Sequence, residues 1–314
     1  MRQLCFGADI GGTAVKVGLF TSEGELLKKW DFATRKTGNG KDILKDLANF
    51  ISDKIREQGL KREEITGIGV GIPGPVKDNG EVLELPNLGL GHFNIEEELQ
   101  ELTGFKARAG NDANVAALGE QWQGSGKGYQ NMVLATLGTG VGGGIIINGS
   151  ILAGSNGAAG EIGHILVNEE ETAHCGCGKT GCLEQYASAT GIVRIMKKRL
   201  AASDEPSKLR GFGELSAKMV FDAALAGDSL ALKAVDESLK YLALAFSHIA
   251  QVIDPQVFVI GGGVSKAGTI ITDTVKKYYE QNVMDALKNK EFRLAVLGND
   301  AGIYGSARLI LASK

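Results

Sequence analysis

Two related α/β halves are the architecture that the sequence predicts, and three observations predict it. Each half opens on the same plan, a short apolar run, a glycine turn and a second apolar run, at Leu4–Phe20 and again at Met132–Asn148. After each opening, helical and extended patterns alternate, as in an α/β unit. The length of 314 residues also suits two domains at roughly 100–200 residues each. The boundaries suggested are 1–115 plus 300–314 for a smaller domain, and 116–299 for a larger one carrying a cysteine-rich loop.

Leu4–Asp9 and Ala14–Phe20 read as strands joined by Ile10-Gly11-Gly12-Thr13, and Glu23-Gly24-Glu25 turns into a third strand. Ile43, Leu44, Leu47, Phe50, Ile51 and Ile55 keep helical spacing. Thr66–Ile72 is a buried strand stopped by Pro73-Gly74-Pro75. Ile95–Leu102 reads as a short helix, Phe105–Ala109 as a strand, and the residues after Gly110 open another helix. In the second half, Met132–Leu137 and Gly144–Asn148 are strands, and Asn148-Gly149 is a hairpin turn into Ile151-Leu152-Ala153. Helices follow at Ala189–Leu200, Phe212–Ala226 and Ser229–Val252. Val257–Ile260 is a strand ending in Gly261-Gly262-Gly263, followed by a helix running to Met284. Arg293–Leu297 is the last strand and Ile303–Leu311 the last helix.

Composition removes several classes. With 43% hydrophobic and 23% charged residues the chain is neither disordered nor fibrous. A net charge of −3 argues against a broad basic face, so no nucleic-acid partner is expected. No apolar run approaches the length of a membrane span, and an acid, Asp9, interrupts the first apolar run before it reaches signal length. A cytoplasmic protein with no membrane partner is the expectation. Glycine is abundant, 45 residues against 5 prolines, and it clusters after apolar runs, where backbone approaches a ligand or turns. Three of the four cysteines, Cys175, Cys177 and Cys182, lie within eight residues, which reads as a metal site and not a disulfide framework.

The glycine turns raise the question of phosphate binding. Gly69-Val70-Gly71-Ile72-Pro73-Gly74 and Gly138-Thr139-Gly140-Val141-Gly142-Gly143 both match the dinucleotide fingerprint, but each lacks the helix that must follow. Gly178-Lys179-Thr180 has Ala173 where a Walker A loop needs its first glycine. What remains is Asp9-Ile10-Gly11-Gly12-Thr13 and Gly138-Thr139-Gly140, strand–turn–strand loops whose backbone N–H groups can nest anions. Ordinary hairpin turns are the alternative. Asp9 could hold Mg²⁺ through water. Together with Gly261-Gly262-Gly263, these loops resemble the two phosphate loops and adenosine motif of the sugar kinase/actin/heat-shock ATPase fold.

His164, Cys175, Cys177 and Cys182 are separated by ten, one and four residues and would close a tetrahedral zinc shell. His174 competes as fourth ligand, although a residue adjacent to one ligand rarely reaches the same ion. Such a loop would fix Glu161 and Glu184 relative to one another, and paired carboxylates grip polyols. Asp112, in Gly110-Asn111-Asp112-Ala113-Asn114, reads either as a helix cap or as a general base for a hydroxyl attacking a γ-phosphate.

Asn111-Asp112-Ala113-Asn114, the run Gly157–His164 and the run Cys175–Glu184 are similar to the catalytic, sugar and zinc motifs of the ROK family (repressor, open reading frame, kinase). The likeness runs from about residue 4 to about 311, and within the family it is greatest to the bacterial glucokinases. The resemblance implies two RNase H-like (actin/hexokinase-type) α/β domains with a cleft between them, and ATP-dependent phosphorylation of glucose at its 6-hydroxyl. It makes Asp112 the base and assigns sugar contacts to Asn87, Asn111, Asp112, Glu161, His164 and Glu184. ATP contacts fall to Asp9, Gly11, Gly12, Thr13, Lys16, Gly138, Thr139, Gly140, Gly261, Gly262 and Gly263. His164, Cys175, Cys177 and Cys182 become ligands of a structural zinc, Mg²⁺ accompanies ATP, and a homodimer or homotetramer is implied. Gly91-His92 departs from the family, where many members have tryptophan, and this touches the wall of the sugar pocket. A kinase for fructose, mannose, allose or N-acetylmannosamine, and a non-catalytic sugar sensor, are the other readings.

Overall fold

The computed structural model describes residues 3–35, 41–82 and 91–313. Its strands are β1 Leu4–Ile10, β2 Ala14–Thr21, β3 Leu26–Ala33, β4 Ile65–Ile72, β5 Glu81–Val82, β6 Phe93–Asn94, β7 Ala107–Asn111, β8 Met132–Leu137, β9 Val141–Ile147, β10 Ser150–Ile151, β11 Val257–Gly261 and β12 Glu291–Leu294. The helices are α1 Lys41–Glu57, α2 Ile95–Thr103, α3 Asp112–Gln123, α4 Glu184–Ala187, α5 Ala189–Ala202, α6 Ala217–Leu225, α7 Ser229–Ile253, α8 Thr269–Asn282 and α9 Ala301–Ala312. Two five-stranded sheets share one plan, β3-β2-β1-β4-β7 and β10-β9-β8-β11-β12. In the first, β1, β2 and β3 meander antiparallel, and β4 and β7 run parallel to β1. In the second, β11 is parallel to both β8 and β12. The repeated opening read in the sequence is thus a repeated sheet order.

The chain divides into two compact units: residues 1–130, 144–160 and 297–314 in one, 131–143 and 161–296 in the other. Residues 116–130, 144–160 and 297–299, placed with the larger domain on sequence grounds, belong to the first unit.

In the first unit, β1 and β4 are buried along nearly their whole length because helices cover both faces, the usual condition of parallel strands. Ile43, Leu44, Leu47, Ile51, Ile95 and Leu99 of α1 and α2 pack on one face. Ile303, Ala307 and Ile310 of α9 pack with Cys5 and Phe20 on the other. This second layer explains the glycines of the rejected fingerprint. A side chain at Gly69 would meet the Ser306 carbonyl oxygen at 1.7 Å, so the glycine admits α9 and no phosphate is needed to account for it. In the second unit the core is aromatic: Phe246 stacks on Phe258 at 4.4 Å, and Phe258 on Phe292 at 5.3 Å.

Several elements depart from the expected bounds, β7 by two residues (Ala107–Asn111 for Phe105–Ala109) and α8 at its end (Asn282 for Met284), and three of the departures have a visible tertiary cause. β9 begins at Val141, three residues early, because Gly144 belongs inside the strand and its bare Cα lets Ala113 and Ala117 of α3 approach. α6 begins at Ala217, not Phe212, because Ser216 caps it by accepting from Met219 N–H, while Phe212 is exposed. β12 is Glu291–Leu294 because its register is set by β11, which pairs Val257 with Glu291 and Ile260 with Leu294. Val296, apolar but exposed, lies beyond it.

Candidate active site

Sheet register assembles the first part of the site. Asp9 on β1 is level with Gly71 on β4, which is level with Gly110 on β7. At a strand spacing of about 4.8 Å, Asp9 and Gly110 stand about 10 Å apart on the carboxyl edge of one sheet, where α/β sheets bind ligands. Asp112 follows as the first residue of α3. The cap of that helix is Asn111, whose Oδ1 accepts from Asn114 N–H at 3.1 Å and whose Nδ2 donates to Gly74 O. Asp112 is therefore not the cap; its Oδ1 accepts from Ala113 N–H at 2.8 Å, at the positive end of α3.

The turn after β1 is closed by Gly11 N–H donating to Ala14 O, leaving Gly12 and Thr13 exposed at the tip. Thr34, which the sequence did not single out, braces it: its Oγ1 donates to Gly11 O at 2.6 Å and its N–H to Thr13 O. Lys16 faces Asp9 across the β1–β2 pair, with Nζ 3.9 Å from Oδ2, and donates to Asn299 O at 3.0 Å. Burial pushes the Asp9 carboxyl above its ordinary range, and the Lys16 charge offsets part of that. Asn87 lies outside the described residues.

The other unit holds a second group of candidate residues, tied together at Val141. Its N–H donates to Glu184 Oε2 at 3.0 Å, while its carbonyl oxygen lies against Gly163, where a Cβ would come within 2.2 Å. Gly163 sits in the short 3₁₀ turn Ile162–His164 that follows Glu161, so Glu184 and the Glu161/His164 turn rest on one residue. A Cβ at Gly140 would lie 2.2 Å from the same Oε2, so a side chain there would displace the Glu184 carboxylate. Gly138 O and Thr139 O accept from Ala189 N–H and Thr190 Oγ1, tying the glycine turn to the start of α5. Gly261 ends β11 level with Thr136, and Gly262 turns at φ +81° over the Leu137 backbone.

His164, Cys175, Cys177 and Cys182 bring four ligand atoms within 4.8 Å of one another. Cys177 and Cys182 Sγ are 3.6 Å apart, and Cys175 Sγ is 3.8 Å from His164 Nδ1. Tetrahedral zinc with its usual bond lengths requires about 3.8 Å between sulfurs and about 3.6 Å from sulfur to nitrogen. The four residues fit a zinc shell. His174 is outside it, its Nδ1 3.2 Å from Gly178 O, so geometry selects His164. Burial pushes the Cys182 thiol up to about 12, so an electrostatic partner is what would favour its thiolate. Cys175 Sγ also lies 3.7 Å from Glu184 Oε1, which links the cluster to the glycine turn.

Behind this loop lies a network with no signature in the sequence. Buried Glu171 accepts from Tyr186 OH at 2.7 Å and Ala173 N–H at 3.0 Å, and pairs with Arg194 at 2.7 Å. Burial opposes the charge, yet these partners hold its carboxyl down at about 2. An unfolded glutamate titrates near 4.5, so Glu171 contributes about 3 kcal/mol above that pH, lost as pH falls toward 2. Thermal midpoints of wild type and Glu171→Gln should differ at neutral pH and converge near pH 2; a gap independent of pH would contradict the assignment.

Among the described residues, no helix is long and apolar enough to cross a membrane. The chain matches the ROK family over residues 5–313. It is 43% identical to a glucokinase from Halalkalibacterium halodurans, over 97% of this chain and 94% of that one. It is similar to the crystal structure of a ROK family glucokinase from Streptomyces griseus in complex with glucose and AMPPNP, at 32% identity, TM-score 0.75 and 98% of each chain. It is also similar, at 27% identity and TM-score 0.86, to a ROK family transcriptional regulator that is a homolog of an E. coli protein, covering 99% of this chain and 77% of that one.

Proposed function

The chain belongs to the ROK family, and on that premise we propose that it transfers the γ-phosphoryl group of ATP to the 6-hydroxyl of glucose. The observation that carries this is 43% identity with a glucokinase over nearly the full length of both chains. The actin/hexokinase-type fold agrees with it.

Asp112 is assigned as the general base. Its carboxylate takes the proton from the attacking hydroxyl as the new O–P bond forms and the bond to ADP breaks. Glu161 and Glu184 accept from sugar hydroxyls, and His164 donates its Nε2–H to a sugar oxygen. His164 turns Nδ1 toward the sulfurs, which leaves Nε2 for the sugar. Asn111 is engaged through both side-chain atoms, so its part is to shape the wall and cap α3, with one lone pair of Oδ1 left for a hydroxyl.

The N–H groups of Gly11 and Gly138 close their own turns, so Gly12–Thr13 and Thr139–Gly140 supply the N–H groups for phosphate, and Gly261–Gly263 the surface for adenosine. Asp9 would hold Mg²⁺ through water, and the ion, when bound, supplies charge neutralisation on the phosphates. Zinc held by His164, Cys175, Cys177 and Cys182 would be structural, since four ligands leave no open position.

The test is ADP release with ATP·Mg²⁺ against glucose, mannose, fructose, allose and N-acetylmannosamine. Glucose should lead in kcat/KM by about tenfold or more, a margin that polar pocket contacts readily supply. Preference for another hexose would keep the reaction and refute the substrate. No turnover with any sugar, in zinc-replete protein, would refute the kinase and favour a sensor.

A further inference from the structure

We propose that Gly302 is a positioning residue for Asp9, its missing side chain leaving the space in which the Asp9 carboxylate is held. The proposal rests on the role given to Asp9 above. Gly302 is the second residue of α9 and its backbone is helical, so glycine is required there by space and not by torsion. A Cβ would lie 2.7 Å from Asp9 Cγ, 2.8 Å from Oδ2 and 3.1 Å from Cβ, all inside contact distance. One of the partners must yield.

The helix cannot. α9 is seated directly on backbone at three other places where glycine makes the approach possible. Side chains at Gly7, Gly69 and Gly305 would meet Ile303 O at 2.1 Å, Ser306 O at 1.7 Å and Val115 O at 1.5 Å. Sliding or lifting α9 by the few tenths of an ångström that a methyl demands would disturb packing on β1, β4 and α3 together, and close-packed interiors resist this. The Asp9 carboxyl, partly accessible and able to turn about χ2, is the softer partner. Its other neighbour is anchored to the same segment: Lys16 Nζ lies 3.9 Å from Oδ2 and donates to Asn299 O. The segment therefore borders Asp9 directly at Gly302 and holds its neighbour Lys16 at Asn299, and a methyl at 302 turns the carboxylate away from this position.

Gly302→Ala is the test, because alanine is the better helix former and brings no backbone penalty in a helix. Three quantities are measured on wild type, Gly302→Ala and Asp9→Asn. These are the thermal midpoint, the calorimetric affinity for glucose, and the affinity for AMPPNP with Mg²⁺ and with EDTA. Gly302→Ala should keep the midpoint, the glucose affinity and the EDTA affinity. It should lose most of the tightening that Mg²⁺ confers, and kcat should fall roughly 10²-fold, as expected for a misplacement of about 1 Å, with KM for glucose unchanged.

Full Mg²⁺-dependent tightening in Gly302→Ala, with Asp9→Asn impaired, would overturn the role of Gly302 while sparing that of Asp9. Full tightening in Asp9→Asn would overturn both. An equal loss of glucose and nucleotide binding in Gly302→Ala would show that α9 packing, and not Asp9, had been damaged, and would also overturn the proposal.

Discussion

Asp112→Asn should lower kcat by about 10²–10⁴, the range for loss of a general acid–base group, and leave glucose binding intact. The substitution is close to isosteric. Asparagine keeps an oxygen to accept from Ala113 N–H, and the cap of α3 is supplied by Asn111, so neither the helix start nor the β7–α3 corner depends on the Asp112 charge. The change removes the ability to accept a proton. Stopped turnover together with calorimetric glucose binding separates the two effects, and a variant retaining more than about a tenth of kcat would rule Asp112 out as base.

Opening the metal cluster should have the second large effect. Cys182 is buried, faces Cys177 at 3.6 Å, and directly precedes the Leu183-Glu184 corner. Cys182→Ser replaces a strong zinc ligand with a poor one, and a four-ligand structural site holds its ion with about 10–16 kcal/mol of apparent binding energy near neutral pH. The variant should lose stoichiometric zinc, melt earlier, and weaken glucose binding about tenfold or more, because the metal would no longer tie His164 to the Cys182–Glu184 segment and only their contacts with Val141 would remain. Nucleotide binding to the first unit's Gly11–Thr13 turn does not require the loop and should be less affected. Stoichiometric zinc in wild type with unchanged glucose affinity after its loss would separate metal from sugar binding and contradict the account.

Legibility in the sequence followed burial. β4, β8 and β11 are largely apolar runs, and β1 and β2 are broken only by Asp9 and Lys16, because helices or neighbouring strands cover them, and their ends carry the glycine turns beside Asp9 and at Gly138–Gly140. Where an element's limits depend on a partner far along the chain, the local pattern could not show them. β9 starts early because α3 needs the bare Cα of Gly144, and β12 takes its register from β11 and not from its own apolar residues.

The site divides in the same way. The ligand types and spacing of Cys175, Cys177 and Cys182 were visible, but the choice between His164 and His174 needed the fold of the loop. Asp112 read in the sequence as either cap or base, and Asn111, which holds the cap, removes the first of these readings. Thr34, Glu171, Arg194 and Gly302 left no local mark, since each acts on residues brought near only by tertiary packing.

The central claim is tested most directly by identifying the product. Wild-type protein incubated with glucose and ATP·Mg²⁺ should yield, by phosphorus–proton correlation NMR, one new phosphomonoester coupled to the two C6 protons of glucose, with ADP in equal amount. A phosphorus signal coupled to the anomeric proton, or free phosphate with unmodified glucose, would contradict it.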